Sequence, residues 1–393
     1  MSLLLRFVDK VCLIQERFFD VPHVKDTTFL TLKEEICDIL SRHNLDVSNI
    51  RGQGYDGASN MRGECNGLQA LSMKDCPYAY YAHCFSHRLQ LALVTSSREV
   101  KLVHKFFEKL IFVVNVVFSY TKHHDELQAV QLEEISYLLK IDEIVTGKCE
   151  NQVGTLKRSG DTRCGSHYNS ISILINMYEA TCLVFKKIAK DRESYATRGD
   201  VDSSYNYLKA FDFIFILHLM KEIMGITYMF CQDLQKNQDV VNVMNLIRST
   251  KHLIQGLREN GWDILFTKVI SFCEKHGIEI SDLIDVHSTT RFGRPRLEEN
   301  QVTIKHYFNE IFFTTIDKQL QEFNSKFSEQ TMDLLTFSCS LSPKDGYKAF
   351  SIDTICSLVE KYYPIDFFIN RLLRLIMTLP VSTTTTDRGL FQQ

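Results

Sequence analysis

A single carboxylate, Asp56, lies between glycines in the segment Gly52-Gln-Gly-Tyr-Asp56-Gly-Ala-Ser-Asn60, directly after a short run with strand character. Glycine lets the backbone turn sharply, and the carboxyl ends of strands are where α/β proteins collect their binding side chains. Asp56 is therefore a candidate catalytic or metal-binding carboxylate. The structural alternative is a turn aspartate that caps a helix beginning at Ser59 or Asn60.

A second group of residues with ligand chemistry follows in the segment His83-Cys84-Phe-Ser-His87. Cysteine and histidine at short spacing are suitable zinc ligands, and Cys65 or Cys76 could complete a tetrahedron. The segment lacks the paired CxxC or HxxxH units of common zinc sites, which counts against this interpretation.

Basic residues mark two loops that interrupt the later part of the chain. Arg158, Arg163 and His167 lie in or next to the loop at 154–166, and further arginines lie in the polar stretch 287–300. Arginine binds phosphate in a bidentate manner, so these residues are candidate DNA contacts. A solvated loop surface explains the same residues equally well.

Composition narrows the range of functions. The chain has 393 residues and a formal net charge of -3, which gives no global attraction for a polyanion and argues against a whole-chain DNA clamp. Twelve cysteines without a CxxC pair predict reduced thiols in an intracellular protein. The apolar run at 110–118 is much shorter than the roughly 20 residues that span a bilayer. Neither a membrane nor a small-molecule substrate is predicted as a partner.

The order of elements predicts an α/β region followed by a helical one. Strands are predicted at 3–8, 11–19, 47–55 and 78–83, and helices at 26–45, at 60–72 and from His87, which fits a mixed sheet flanked by helices. From about 99 to 335 the apolar residues recur with the helical period, which predicts a large all-helical block. The single tryptophan, Trp262, is expected to be a packing residue.

Five short motifs occur in a fixed order along the chain: the Asp56 segment, His83-Cys84-x-x-His87, Asp161-Thr-Arg163-x-Gly-Ser-His167, Tyr362-Tyr-Pro, and Val381-Ser-x-x-x-x-Asp387-Arg388. With these motifs the chain resembles hAT-superfamily transposases. The nearest branch is the plant transposase-like proteins that are similar to MYM-type zinc-finger proteins. The resemblance implies an RNase H-like core at 1–97 that lacks its first strand, a helical insertion at 98–335, and a return to the core with the start of the dimerisation region at 336–393.

In this family three carboxylates hold two Mg²⁺ or Mn²⁺ ions for DNA strand transfer. The resemblance places Asp56 and Asp387 at two of these metal-binding, catalytic positions, with Asn60, Cys84 and His87 as supporting residues. The first family Asp lies upstream of the segment that aligns with the start of this chain. Asp387 replaces a Glu, which withdraws the carboxylate by about 1.5 Å. The triad is therefore expected to be a degraded remnant that holds metal weakly if at all, and no resident cofactor is predicted.

A second departure from the family concerns DNA handling. Cys164 stands where the family has a Trp, and a thiol offers no aromatic face for stacking on a base.

The resulting expectation is a domesticated or decayed transposase-derived protein without catalytic activity. It would act through protein interaction, including with a second copy of itself, and through weak DNA binding. The resemblance implies that the protein is located in the nucleus, and the composition is also compatible with a cytoplasmic location. One alternative is an active DNA transposase whose first Asp is encoded by an upstream exon. Another is a truncated gene model with no selected function.

Overall fold

The computed structural model describes residues 1–10, 14–55, 61, 67–83, 88–89, 92–93, 95, 98–118, 121–140, 156, 165–190, 195–236, 240–280, 307–327 and 351–362. Most of these residues are helical. The chain divides into two compact units, each assembled from separate segments. The first comprises Met1–Leu91, Met229–Thr250 and Phe323–Gln393, and the second comprises Ala92–Tyr228 and Lys251–Glu322.

The first unit begins with the hairpin that the sequence predicts. Strand β1 (Leu3–Val8) pairs antiparallel with β2 (Ile14–Asp20). Arg6 lies opposite Glu16 in this ladder, and their side chains form an ion pair of 3.3 Å. Opposite charges facing each other across a ladder stabilise the register.

Helix α1 (Phe29–Arg42) follows the hairpin and lies within the predicted range. The side chain of Thr28 accepts a hydrogen bond from the Thr31 amide, which satisfies one of the free amides of the first turn. The apolar face of α1 is buried, and the helix packs on α2 (Leu68–Asp75). An ion pair of 2.7 Å between Lys33 and Asp75 joins the two helices.

Two short strands complete the described sheet structure. Strands β3 (Gly52–Tyr55) and β4 (Tyr80–His83) pair in parallel. The strand predicted from residue 47 begins later than expected, because residues Val47–Asn49 form a 3-10 turn. The carboxylate of Asp46 accepts the Ser48 amide there, and this local bond competes successfully with strand formation. Within the described residues β1–β2 and β3–β4 are two separate sheets, so a single mixed sheet stays a prediction.

Most of the described residues after 98 are helical, as the periodicity predicts. The helices contact one another through buried apolar faces, for example α4 against α6 and α3 against α7. Their bounds are α3 Lys101–Phe118, α4 Thr121–Lys140, α5 Ser166–Asn176, α6 Tyr178–Lys190, α7 Tyr195–Leu208, α8 Phe211–Lys236, α9 Val240–Asn260, α10 Trp262–Lys275, a π-helix at Tyr307–Phe313, α11 Thr314–Lys326 and α12 Ile352–Tyr362.

Helix α8 is largely buried over Phe211–Tyr228, the part that belongs to the second unit. Its stretch Phe211–Asp233 is long and apolar enough to cross a membrane, yet 67% of its most apolar window is buried inside the protein. Phe213 packs on Phe106 of α3 at 5.0 Å between ring centroids, and Phe215 packs on Trp262 at 5.9 Å. Trp262 is thus a packing residue, as predicted, and α8 has the burial of a core helix.

Two histidines are built into the same core. The rings of His218 and His276 lie 4.8 and 4.4 Å from the ring of Phe272. Burial lowers the pKa of His218 and the pKa of His276. The ammonium group of Lys209 donates to the backbone carbonyl of His276 at 2.6 Å, which adds positive charge to this region. The neutral form of both histidines is therefore favoured in the folded protein.

The described cysteines differ from expectation at one position. Free thiols occur at Cys37, Cys76, Cys182, Cys273 and Cys356. The buried Cys231, in contrast, is disulfide-bonded. The prediction of reduced thiols throughout is wrong for this residue, because a disulfide requires proximity in space rather than in sequence.

Candidate functional site

The carboxyl ends of β3 and β4 form one edge of the parallel pair. The register aligns Gly52 with Tyr80 and Tyr55 with His83, so both strands end at the same level. Asp56 is the next residue after β3, and the second motif begins with His83, the last residue of β4, and continues with Cys84. The strand ends that lead into both motifs are therefore neighbours, which the sequence alone does not establish.

The side chain of Gln53 ties this edge to the elements around it. Its amide nitrogen donates to the carbonyls of Ala79 at 2.8 Å and Gln69 at 3.3 Å, which link β3 to the start of β4 and to α2. Its amide oxygen accepts the hydroxyl of Tyr55 at 2.7 Å. All polar atoms of the Gln53 side chain are used in fixing the strands.

Two tyrosines contact each other across the strand pair, with their ring planes tilted by 33°. The rings of Tyr55 and Tyr81 are 4.8 Å apart, and the Tyr81 hydroxyl donates to the Tyr55 carbonyl at 3.3 Å. Burial, with a smaller contribution from Tyr81, raises the pKa of Tyr55. The Tyr55 hydroxyl therefore stays protonated and donates a hydrogen bond; it is not set up to act as a base or a nucleophile.

The entry into β3 is held by a thiol and a guanidinium group. Buried Cys76 donates to the carbonyl of Ile50 at 3.0 Å, and Arg51 donates to the carbonyls of Ser48 at 2.7 Å and Ile50 at 3.1 Å. The Arg51 guanidinium also lies 5.8 Å above the ring of Tyr78. The Cys76 side chain thus contacts the backbone at the entry of β3, where it also lies 3.4 Å from the carbonyl of Ser48.

Strand β4 contacts the C-terminal part of the first unit. The Tyr80 hydroxyl donates to the carbonyl of Tyr362 at 2.6 Å, and the two rings meet edge to face at 5.5 Å. Tyr362 is the last residue of α12 and the first of the Tyr362-Tyr-Pro motif, and 282 positions separate the two partners. This contact ties the end of α12 to β4.

The described strands supply amide and hydroxyl groups but no carboxylate to this edge. In the part of the chain that the structure describes, no group of three His, Cys, Asp or Glu side chains converges to hold a metal ion. The described residues thus form the support of a site and not, by themselves, a divalent-metal site. The predicted residues Asp56, Asn60, Cys84, His87, Arg158, Arg163 and Asp387 lie outside the described residues.

His167 is the predicted site residue that the structure does describe. It is the second residue of α5, is 8% exposed, and its ring meets the ring of Phe107 edge to face at 5.3 Å. Its role as a DNA contact stays a prediction, and the burial counts against it, because a phosphate would have to displace packed neighbours.

The glycine of the same motif has a structural role that sequence reasoning missed. Gly165 precedes α5 with φ of 82°, a left-handed conformation that favours glycine. A Cβ at this position would lie only 2.5 and 2.7 Å from two ring carbons of Tyr228. Its place directly before the helix start at Ser166 is the sequence signal that could have indicated this role.

The first part of the chain matches a known family. Residues 1–67 match the model of DUF4371, described as ZMYM1/FAM200, RNase-like domain. The matched span contains β1, β2, α1 and β3, and it extends past Asp56. Of the two strands that lead to the candidate edge, β3 lies in the matched span and β4 follows it. The match fits a transposase-derived, MYM-like protein.

Proposed function

We propose that this chain derives from a hAT-type DNA transposase of the plant branch and acts as a binding protein that does not cleave DNA. Its partners are other proteins, including a second copy of itself, and, more weakly, DNA. The observation that carries the transposase-derived origin is the match of residues 1–67 to an RNase-like domain, a span that includes Asp56.

The strand geometry supports the nuclease-like origin. Metal-dependent phosphoryl transfer needs carboxylates that converge at one place, and the carboxyl ends of parallel strands provide such a place. Paired strands are about 4.8 Å apart, so the residues that follow Tyr55 and His83 start from neighbouring positions. Asp56 is the carboxylate that the chain supplies there.

The chemistry of the remaining carboxylate supports a loss of cleavage. Asp387 stands where the resembling family has a Glu, which shortens the reach of the carboxylate by about 1.5 Å. Metal–ligand distances vary by only about 0.2 Å in good sites. A site that combines Asp56 with Asp387 would therefore bind a pair of metal ions poorly, and the resembling family's first Asp would still be required.

The division of the chain supports the proposed domain organisation. The first unit combines both chain ends with residues Met229–Thr250, whereas the second unit is built from the segments between them. The joining of both chain ends is the pattern expected when an insertion interrupts a core, whereas Met229–Thr250 lies inside the predicted insertion 98–335 and yet belongs to the first unit. We accordingly assign the core to the ends of the chain and the insertion to the helical unit.

Helix α4 supports the role in protein binding. None of the described side chains in its second half, 131–140, is buried, although this half contains Leu132, Ile135 and Leu139. Leu132 is 55% exposed and Tyr137 is 62% exposed. Apolar side chains gathered on a helix that buries none of them favour a contact with another protein.

The loss of cleavage is tested with the purified full chain, Mn²⁺ and a supercoiled plasmid. We expect no nicking above that of the Asp56→Ala variant, and no stoichiometric Mn²⁺ uptake by titration calorimetry. Asp202→Ala, an exposed helical position, is the matched control. Nicking and uptake of two Mn²⁺ ions that Asp56→Ala abolishes and Asp202→Ala retains would support the active transposase instead.

The protein-binding role is tested by light scattering and by pull-down with the same full chain. We expect self-association or partner capture that the double variant Leu132→Asp/Tyr137→Asp weakens. Glu133→Asp/Ser136→Asp changes exposed positions of the same helix and should leave it intact. A strictly monomeric protein that captures no partner would contradict this part of the proposal.

A further inference from the structure

The exposed face of α3 is basic over its first half. Lys101, His104, Lys105 and Lys109 recur at spacings of three and four residues, which places them on one side of the helix. The first three are exposed and Lys109 is half-buried. Glu108 is the one acidic residue of α3, and it lies 3.5 Å from the ring nitrogen of His104.

Among the described residues, no ion pair is formed by the lysines of this face. Within the described part of the chain, Lys101 and Lys105 have no carboxylate at ion-pair distance, in contrast to lysines such as Lys268, which lies 2.7 Å from Glu222. Like charges four residues apart destabilise a helix. The chain as a whole has a net charge of -3, so this positive surface is a local concentration. It is complementary to a polyanion.

An aromatic side chain lies within the basic surface. The ammonium group of Lys109 lies over one face of the Tyr207 ring, 4.8 Å from its centroid. Tyr207 belongs to α7 and is half-buried. Phe112 supports the same ring edge to face at 6.2 Å. Lysines next to an aromatic ring are the combination that binds single-stranded nucleic acids, in which phosphates meet the charges and bases stack on the ring.

We propose that this basic face, formed by Lys101, Lys105, Lys109 and Tyr207, binds the backbone of a single-stranded nucleic acid. From Lys101 to Lys109 the helix rises by about 12 Å, so the three ammonium groups follow one another along a surface that a single strand can track. An acidic protein would match the charges but would not use the ring of Tyr207. The inference rests on the DNA-binding part of the proposed function and names the surface responsible.

The test is fluorescence anisotropy of a labelled thymidine 30-mer with the full chain, at salt concentrations from 50 to 300 mM. The triple variant Lys101→Gln/Lys105→Gln/Lys109→Gln removes three phosphate contacts, so the slope of log K against log salt should become shallower by about 2, and affinity at 100 mM should fall about 100-fold. The variant Lys74→Gln/Lys187→Gln/Lys251→Gln removes the same charge from other exposed positions and should bind like the wild type.

A second variant separates stacking from charge. Tyr207→Leu should weaken binding while the salt slope stays unchanged, because no phosphate contact is lost. An unchanged affinity would overturn the stacking role. Circular dichroism confirms that each variant is folded.

The outcomes separate this inference from the proposed function. If the wild type binds and the two triple lysine variants lose affinity equally, the basic face is overturned and DNA binding by another surface stands. If the wild type does not bind the 30-mer at 50 mM salt, the basic face and the DNA-binding part of the proposed function are both contradicted. If polyglutamate of the same charge displaces the 30-mer as well as unlabelled thymidine 30-mer does, recognition is purely electrostatic and the inference is overturned.

Discussion

Replacing Gly165 with alanine tests whether the motif Asp161-Thr-Arg163-x-Gly-Ser-His167 is conformationally fixed in the helical unit. Gly165 has φ of 82° and ψ of -4°. The position that a Cβ would occupy on this residue faces the ring of Tyr228. The methyl group of alanine would meet two ring carbons at 2.5 and 2.7 Å. The Tyr228 ring is stacked on the Tyr168 ring, with centroids 4.8 Å apart. The Tyr228 ring can therefore move away from the added methyl group only if this stacked pair is disturbed.

The cost follows from two independent effects. A left-handed conformation costs a residue with a Cβ about 1 to 2 kcal/mol. Carbon atoms pack best at about 3.5 to 4.0 Å, so the methyl group and ring must separate by roughly 1 Å, and overpacking of this kind costs about 1 to 3 kcal/mol. We therefore expect Gly165→Ala to lower the free energy of unfolding by about 2 to 5 kcal/mol.

Urea unfolding followed by circular dichroism measures this change. Gly199→Ala is the matched control, because Gly199 lies inside α7 with nothing within 4 Å of an added Cβ. Alanine there should stabilise the helix by about 0.5 to 1 kcal/mol. The double variant Gly165→Ala/Tyr228→Ala should cost less than the sum of its two single variants, since it removes the collision and leaves only the backbone strain.

A loss below about 1 kcal/mol for Gly165→Ala would refute this reasoning, because the conformational cost alone reaches that value. If the effects of the two single variants add up in the double variant, the backbone strain at Gly165 remains as the explanation, and the proposed collision with Tyr228 is refuted.

Two further predictions concern titration and the contact between β4 and α12. Because burial lowers the pKa of His218 and His276, the unfolded chain binds protons first as the pH falls below about 6.5. The free energy of unfolding should therefore decrease from pH 7.5 to 5.5, as urea midpoints would show, and His218→Gln should flatten this dependence; a midpoint that rises with acid would contradict it. Tyr80→Phe removes the hydrogen bond to the Tyr362 carbonyl and should cost about 0.5 to 1.5 kcal/mol. The same change at exposed Tyr137 should leave the urea midpoint unaltered, and equal effects would contradict the proposed contact.

Local patterns in the sequence predicted much of the secondary structure. The hairpin β1–β2, helix α1 and the helices after residue 98 follow from apolar periodicity and capping residues, which act over a few positions. The prediction was wrong at 47–51, where Asp46 and Ser48 form a local hydrogen bond that strand propensity does not include. It was also wrong for the buried thiol of Cys231, whose disulfide depends on spatial proximity.

The sequence by itself determined where the strands that lead to Asp56 and Cys84 end, because alternation and glycine placement are local properties. Tertiary structure decided that these two strands are parallel neighbours, that the hydroxyl of Tyr80 reaches Tyr362, and that Gly165 lies against Tyr228. Contacts of this kind join residues far apart along the chain. They form only when the packing of whole elements brings those residues together, and no local pattern encodes that packing.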